Sequence, residues 1–338
     1  MDQAFINTLE QTLQNPQKIL IIPHKNPDGD ALGSALALMH FLRNEQHQAI
    51  VVSPNDYPLF LKWLPGEKDI LIHSENKAVV QKEFEAATLI FALDFNTLGR
   101  IDELGELVAQ SKALKVMIDH HEAPDDFADL QYSDPQMSST CEMIYHVINH
   151  LNPKGFNEAI ANCLYTGIMT DTGSFKYPLT TAQTHKAIAK LIEYGASGTS
   201  IHQKIYDSSS FNRLKLLGIA LSNMTQITNI PVVYITLSQK ELNSCNYQKG
   251  DTEGFVNYGL SLKGIQFSCI MIENEQEGKI KMSFRSKGDF SVNDFARTYF
   301  QGGGHFNAAG GMSTDSIEQT VLRFQKAVAE VSAQFQKE

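Results

Sequence analysis

The sequence predicts a two-domain α/β protein: an N-terminal doubly wound, mostly parallel sheet with helices, then a smaller C-terminal α/β domain, with a cleft between them. Three observations carry this. At 338 residues the chain is long for a single hydrophobic core. Its first half alternates short apolar runs with segments of helical periodicity, the pattern of a parallel sheet. A separate group of strand-like runs lies in the C-terminal third.

The first run, KILIIP (18–23), is apolar throughout and short, as expected of a strand buried on both faces. After HKNPDGD comes ALGSALALMHFLRNEQ, where Leu32, Leu36, Met39 and Leu42 recur at helical spacing. QAIVVS (48–53), TLIFALD (88–94) and LKVMID (114–119) supply three more strands, and helices are expected near 140–150 and 157–170. From 181 to 223 the pattern is helical but broken by GASGTS and DSSS, which reads as a connector. PVVYITL (231–237), IQFSCIMI (265–272) and KIKMSFRS (279–286) then form a second sheet, with a long helix from about Ile317. The expected domains are a catalytic domain at 1–185, a helical connector at 186–225 and a substrate-binding domain at 226–338.

The 28 Lys+Arg against 38 Asp+Glu give a formal charge of -10. That argues against a surface that holds long duplex nucleic acid through counterion release, though it leaves room for a local basic pocket. Cys141, Cys163, Cys245 and Cys269 are far apart with no CxxC pair, so buried reduced thiols are expected rather than a zinc site or disulfides. The opening MDQAFINTLEQTLQ lacks the cationic start and apolar core of a signal peptide. No apolar run approaches the ~18 residues of a spanning helix. The expected location is cytoplasmic, with no membrane partner.

In an open parallel sheet, ligands bind beyond the carboxyl ends of the strands. The first strand runs into His24, Asp28 and Asp30; the third ends on Asp94; the fourth runs into Asp119, His120 and His121. Each has a plainer reading: Pro27-Asp28-Gly29 is turn chemistry, Asp30 can cap the following helix, and Asp94 can be a turn residue. Neighbouring side chains on an extended chain face opposite ways, which suggests that one of the two histidines meets a given ion. Asp171, in YTGIMTDTGSF, sits where a helix gives way to a polar turn. Brought together, four carboxylates and two imidazoles repel unless a counter-charge intervenes. Two dications would supply +4 against the -4 of Asp28, Asp30, Asp94 and Asp171, and mixed Asp/His ligation without thiolate suits Mn(II) best, with Co(II), Mg(II) or Zn(II) as substitutes. Such a pair would activate hydroxide and clamp a phosphoryl oxygen, which points to phosphoester hydrolysis.

HKNPDGDALGS, ALDFNTLGR, IDHHEA and GIMTDTGSF together resemble the four N-terminal motifs of the DHH phosphoesterase family, and QGGGHFNAAGG resembles the signature of the DHH-associated domain. The resemblance implies that one manganese is held by His24, Asp28 and Asp94, and a second by Asp30, Asp94, His120 and Asp171, with Asp94 bridging. It further implies that His121 faces the scissile phosphate, that Asp119 braces the histidines, and that Arg285 and His305 meet substrate phosphate. Arg100, Ser286 and Asn307 are weaker substrate-binding candidates. Gly302, Gly303 and Gly304 are expected to turn backbone N–H groups toward an anion, or else to make a tight turn into a helix. Within the family the length and layout resemble the bifunctional oligoribonuclease and 3'-phosphoadenosine 5'-phosphate (pAp) phosphatases. That implies short RNA or small nucleotides as substrate, and a homodimer. Cyclic di-AMP or pApA cleavage, polyphosphate or pyrophosphate hydrolysis, and a silent nucleotide-binding module are the alternatives. Where many relatives place an Asn after the histidine pair, this chain reads EAPDDF.

Overall fold

In the computed structural model, which describes residues 2–207 and 209–335, the apolar runs become strands. Strands β1 (Lys18–Pro23), β2 (Gln48–Ser53), β3 (Leu71–Ile72), β4 (Leu89–Leu93), β5 (Leu114–Asp119) and β6 (Leu130–Ser133) form one sheet in the order β3-β2-β1-β4-β5-β6. Every pairing in it is parallel. Strands β3 and β6 are absent from the sequence-based reading. The first has two residues, and the second, LQYS, is an edge strand with a single buried position, so neither carries an apolar run.

The chain divides into two units, 1–208 and 209–338. The first sheet lies in the earlier unit with helices α1 (Gln3–Thr12), α2 (Gly29–Asn44), α3 (Lys77–Ala86), α4 (Leu104–Gln110), α5 (Thr140–Leu151), α6 (Glu158–Asp171), α7 (Ala182–Glu193) and α8 (Gly198–Tyr206). Alternate residues of each strand serve opposite layers, as the two-residue period of a strand requires. Ile19, Ile21, Phe91 and Ile118 pack in the layer that includes α2, α5 and α6. Leu20, Ile22, Ile90 and Met117 pack in the layer of α3 and α4.

Helix α2 is buried on nearly every side, not only along the stripe of Leu32, Leu36, Met39 and Leu42, because it lies against β1 and β2 as well as α5 and α6. Small residues let α6 approach closely. A Cβ at Gly167 would collide with Cys141 Sγ and come within 3.0 Å of Asp30 Cα. Gly167→Ala is therefore expected to destabilise the metal-free protein by about 1–3 kcal/mol through overpacking, measured by urea denaturation.

The later unit contains α9 (Phe211–Ser222), β7 (Thr225–Gln226), β8 (Val232–Leu237), α10 (Gln239–Ser244), α11 (Asn257–Leu260), β9 (Phe267–Asn274), β10 (Lys279–Ser286), α12 (Val292–Tyr299), β11 (Gly303–His305), β12 (Ala308–Ser313) and α13 (Ile317–Glu330). Its sheet runs β11-β12-β10-β9-β8-β7, with only β8 and β9 parallel. Phe267, Phe284, Phe295 and Phe324 fill one side of this sheet, and Leu216, Leu237, Phe255 and Ile270 the other. Of GASGTS, Gly195, Ala196 and Ser197 separate α7 from α8 while the last three residues open α8; of DSSS, Asp207, Ser209 and Ser210 lie between α8 and α9, and Ser208 lies outside the described residues. The four cysteines are buried and free. Among the described residues, no helix is long and apolar enough to cross a membrane.

Candidate metal centre

The strand order places β1 beside β4, where the chain reverses its direction of travel across the sheet, and loops leaving such neighbours open a crevice. His24 follows β1, Asp94 follows β4, and Asp119 ends β5 ahead of the two histidines. Asp94 has φ 65°, in the left-handed region, a strain on the order of 1 kcal/mol that Asp tolerates better than most residues.

His24, Asp28 and Asp94 form one cluster, their donor atoms within 4.8 Å of one another. His24 Nε2 lies 3.8 Å from Asp28 Oδ2 and 3.5 Å from Asp94 Oδ2. Its other nitrogen, Nδ1, lies 2.8 Å from the carbonyl of Lys25 and so carries the ring proton in the neutral form. The Nε2 lone pair therefore faces two carboxylates.

The second cluster repeats this arrangement with Asp30, His120 and Asp171. His120 Nε2 stands 3.7 Å from Asp30 Oδ2, 3.6 Å from Asp94 Oδ1 and 3.4 Å from Asp171 Oδ2. His120 Nδ1 is 3.2 Å from the carbonyl of Met137, which assigns the tautomer in the same way. Asp94 thus turns one oxygen to each cluster. Asp30 and Asp94 are buried, whereas Asp28 and Asp171 reach solvent, with side-chain exposures of 58% and 28%.

These separations are too long for hydrogen bonds, which cluster near 2.9 Å. They are close to the spacing of donors around a shared ion, since bonds of about 2.1 Å set neighbouring ligands roughly 3.0–3.6 Å apart; three of the five fall in that range and the other two, at 3.7 and 3.8 Å, lie just beyond it. The ion pairs that Asp28, Asp30 and Asp94 make among the described residues are all with histidines. Burial, then the like charges of Asp94 and Asp171, push the Asp30 carboxyl well above the usual carboxylate range. Burial opposes charge on His24, but the Asp28 and Asp94 carboxylates outweigh it and raise the ring to about 10. Protons are held where a cation would relieve the same repulsion, so the donor set fits divalent metal.

His121 faces differently from His120, with the two rings edge-on at 5.1 Å. Its Nδ1 is 2.6 Å from Asp119 Oδ1, and its backbone N–H donates to Asp119 Oδ2 at 3.0 Å. Asp119 is fully buried, so it fixes the ring's tautomer and orientation. Burial, with the Arg100 charge next, holds His121 well below the ordinary imidazole range. Arg100 lies on the turn at Leu98–Ile101, and its carbonyl accepts the Lys25 N–H at 2.8 Å, tying the loop after β4 to that after β1.

Two expectations change. The cap of α2 is Asp28, not Asp30: Asp28 Oδ1 accepts from the N–H groups of Asp30 and Ala31 at 3.0 and 3.1 Å, leaving Oδ2 on the His24 side. The GGGH segment leads into a hairpin, not a helix, because β11 pairs with β12. A Cβ at Gly302 would collide with the Gly310 carbonyl. The Gly302 and Gly304 N–H groups donate to the Ala296 carbonyl (3.1 Å) and to Asn293 Oδ1 (2.9 Å), so both amides are already engaged.

Cross-strand register puts Arg285, Ala308 and His305 side by side on one face of the second sheet, opposite the face of Phe284. Ser286 and Asn307 brace a loop: Ser286 Oγ donates to the Phe290 carbonyl at 2.7 Å, and Asn307 Nδ2 donates to Ser286 Oγ at 2.9 Å. The sequence reading missed Thr140, whose hydroxyl donates to Asp94 Oδ1 at 3.0 Å. The signal available was Ser139 three residues before Glu142, a helix-start pattern that fixes where α5 begins.

Residues 18–168 match the DHH family N-terminal domain, and residues 229–337 match the DHHA1 domain. The chain is 31% identical to the bifunctional oligoribonuclease and PAP phosphatase NrnA of Thermus thermophilus, over 90% of this chain and 88% of that one. A probable protein of the same description from Streptococcus mutans is 30% identical, over 89% of this chain and 91% of that one. The crystal structure of an exopolyphosphatase-related protein from Bacteroides fragilis superposes with a TM-score of 0.94 at 40% identity, covering 98% of both chains. With these similarities over nearly its whole length, the chain belongs to the DHH family of phosphoester hydrolases and carries a DHHA1 domain.

Proposed function

We propose that this chain is a manganese-dependent phosphoesterase that hydrolyses short oligoribonucleotides and small nucleotides such as pAp. The observation that carries the reading is the pair of Asp/His clusters sharing Asp94, each with its histidine lone pair turned inward. The similarity to proteins described as oligoribonuclease and PAP phosphatase supports the substrate class.

In this reading His24, Asp28 and Asp94 would hold one cation, and Asp30, Asp94, His120 and Asp171 would hold the other. When bound, two divalent cations, of which manganese best matches this oxygen-rich donor set, supply Lewis acidity at a phosphoryl oxygen and acidify water. The chain's own groups do the rest. Asp119 locks the His121 ring so that its Nε2 meets the scissile phosphate, and Arg100 adds positive charge beside that ring. Arg285 grips a substrate phosphate through its planar fork, with His305 beside it on the same sheet face. Gly303 remains a backbone contact, while Gly302 and Gly304 serve the hairpin.

The test is a Mn(II) panel of pAp, pApA, cyclic di-AMP, RNAs of increasing length and pyrophosphate. The highest kcat/KM is expected for pAp and the shortest RNAs, falling as the RNA lengthens. Preference for pyrophosphate or a cyclic dinucleotide would sink the reading. Arg285→Ala is expected to raise KM for pAp roughly tenfold to a hundredfold with little change in kcat, the loss of a charge-assisted contact. An unchanged KM removes Arg285 from the pocket.

A further inference from the structure

We propose that Thr140 is a positioning residue that orients two carboxylates of the metal centre at once, an inference that rests on the ligand assignment of Asp30 and Asp94 given above. Thr140 opens α5 behind its N-cap, Ser139. The first N–H groups of a helix have no partner within it. Ser139 Oγ takes the third of them, from Glu142, at 3.0 Å. The first two go to Asp30: Thr140 N–H donates to Oδ2 at 2.7 Å and Cys141 N–H to Oδ1 at 2.8 Å. One amide on each oxygen fixes the plane of the carboxylate and leaves the remaining lone pairs for the cluster.

The Thr140 hydroxyl acts on the shared ligand. Deep in a helix a threonine hydroxyl often bonds the carbonyl four residues back. At the first helical position that carbonyl lies outside the helix, and the donor goes to Asp94 Oδ1 at 3.0 Å. Asp94 must keep Oδ1 toward His120 and Oδ2 toward His24 to serve both clusters. Rotation of its carboxylate would misdirect both oxygens, and the hydroxyl bond to Oδ1 opposes it. Thr140 is fully buried, and a β-branched side chain has few rotamers, so the donor direction is well defined. The helix start is itself anchored, since Thr184 Oγ1 donates to buried Glu142 at 2.9 Å and Ser138 Oγ bonds the same carboxylate.

The experiment uses the full chain, stripped by chelation and titrated with Mn(II) by calorimetry, comparing Thr140→Val, Thr140→Ser and Asp94→Ala with the parent. Thr140→Val keeps the shape and loses the donor. It is expected to weaken Mn(II) binding about tenfold to a hundredfold, the usual effect of removing a partner of a metal ligand, while circular dichroism of the metal-free protein is unchanged. Thr140→Ser, which restores the hydroxyl, is expected to bind within about threefold of the parent on the same basis. Thr140→Ala carries the same expectation as valine if the valine variant fails to fold. Parent-like binding by the valine or alanine variant, alongside loss of binding in Asp94→Ala, overturns the positioning role. Parent-like binding by Asp94→Ala overturns the ligand assignment beneath it.

Discussion

Asp94→Ala is expected to lower phosphoester hydrolysis by roughly 10³- to 10⁴-fold and to reduce occupancy of both metal positions, not one. Asp94 is the residue that both clusters share, with Oδ2 3.5 Å from His24 and Oδ1 3.6 Å from His120. Removing it would take one donor from each of the two proposed cation sites. A loss of about 4–6 kcal/mol in transition-state stabilisation corresponds to this fall in rate. Steady-state rates with Mn(II), together with metal content by mass spectrometry, check it. Loss of one ion with the other intact would remove the bridging role, and parent-like turnover would refute the site.

Asp119→Asn is expected to lower kcat by roughly 10²- to 10⁴-fold with metal occupancy close to the parent. Asp119 contacts His121 twice, through the ring at 2.6 Å and the backbone N–H at 3.0 Å. Asparagine keeps the shape and the volume. It removes the negative charge beside Nδ1, so the imidazolium form that can donate from Nε2 to the phosphate loses the buried carboxylate that stabilises and orients it. Titration of Mn(II) separates the two outcomes: a drop in kcat with binding preserved places the effect on His121. If metal affinity falls in proportion, Asp119 supports the centre as a whole and not that ring.

The sequence was most legible where its signal is local. KILIIP, QAIVVS, LKVMID and KIKMSFRS become strands over the same residues, because an apolar run of strand length states its burial without help from elsewhere in the chain. The short β3 and the half-polar edge strand β6 escape that test, as their place in the sheet comes from neighbours rather than from their own composition. The six metal-ligand candidates were also legible, since each sits at a strand or helix end that pattern reading can locate. Thr140 was not: its partners Asp30 and Asp94 lie 110 and 46 residues away, and a threonine in SSTCE has no chemical signature of its own.

By itself the sequence determined which side chains are available, four acids with His24 and the His120–His121 pair and no thiolate among them, and that all but Asp171 fall at or just beyond the ends of strands in a doubly wound sheet. Only the tertiary structure decided how each is turned. It made Asp28 the helix cap with one oxygen left for His24, gave Asp30 to the amides of α5, set Asp94 in a left-handed conformation between two clusters, and folded GGGH into a hairpin. The physical reason is that periodicity and composition act over a turn of helix or a few residues of strand. The direction of a lone pair is set by donors that reach it from other segments, and those meet only when the sheet and helices have packed.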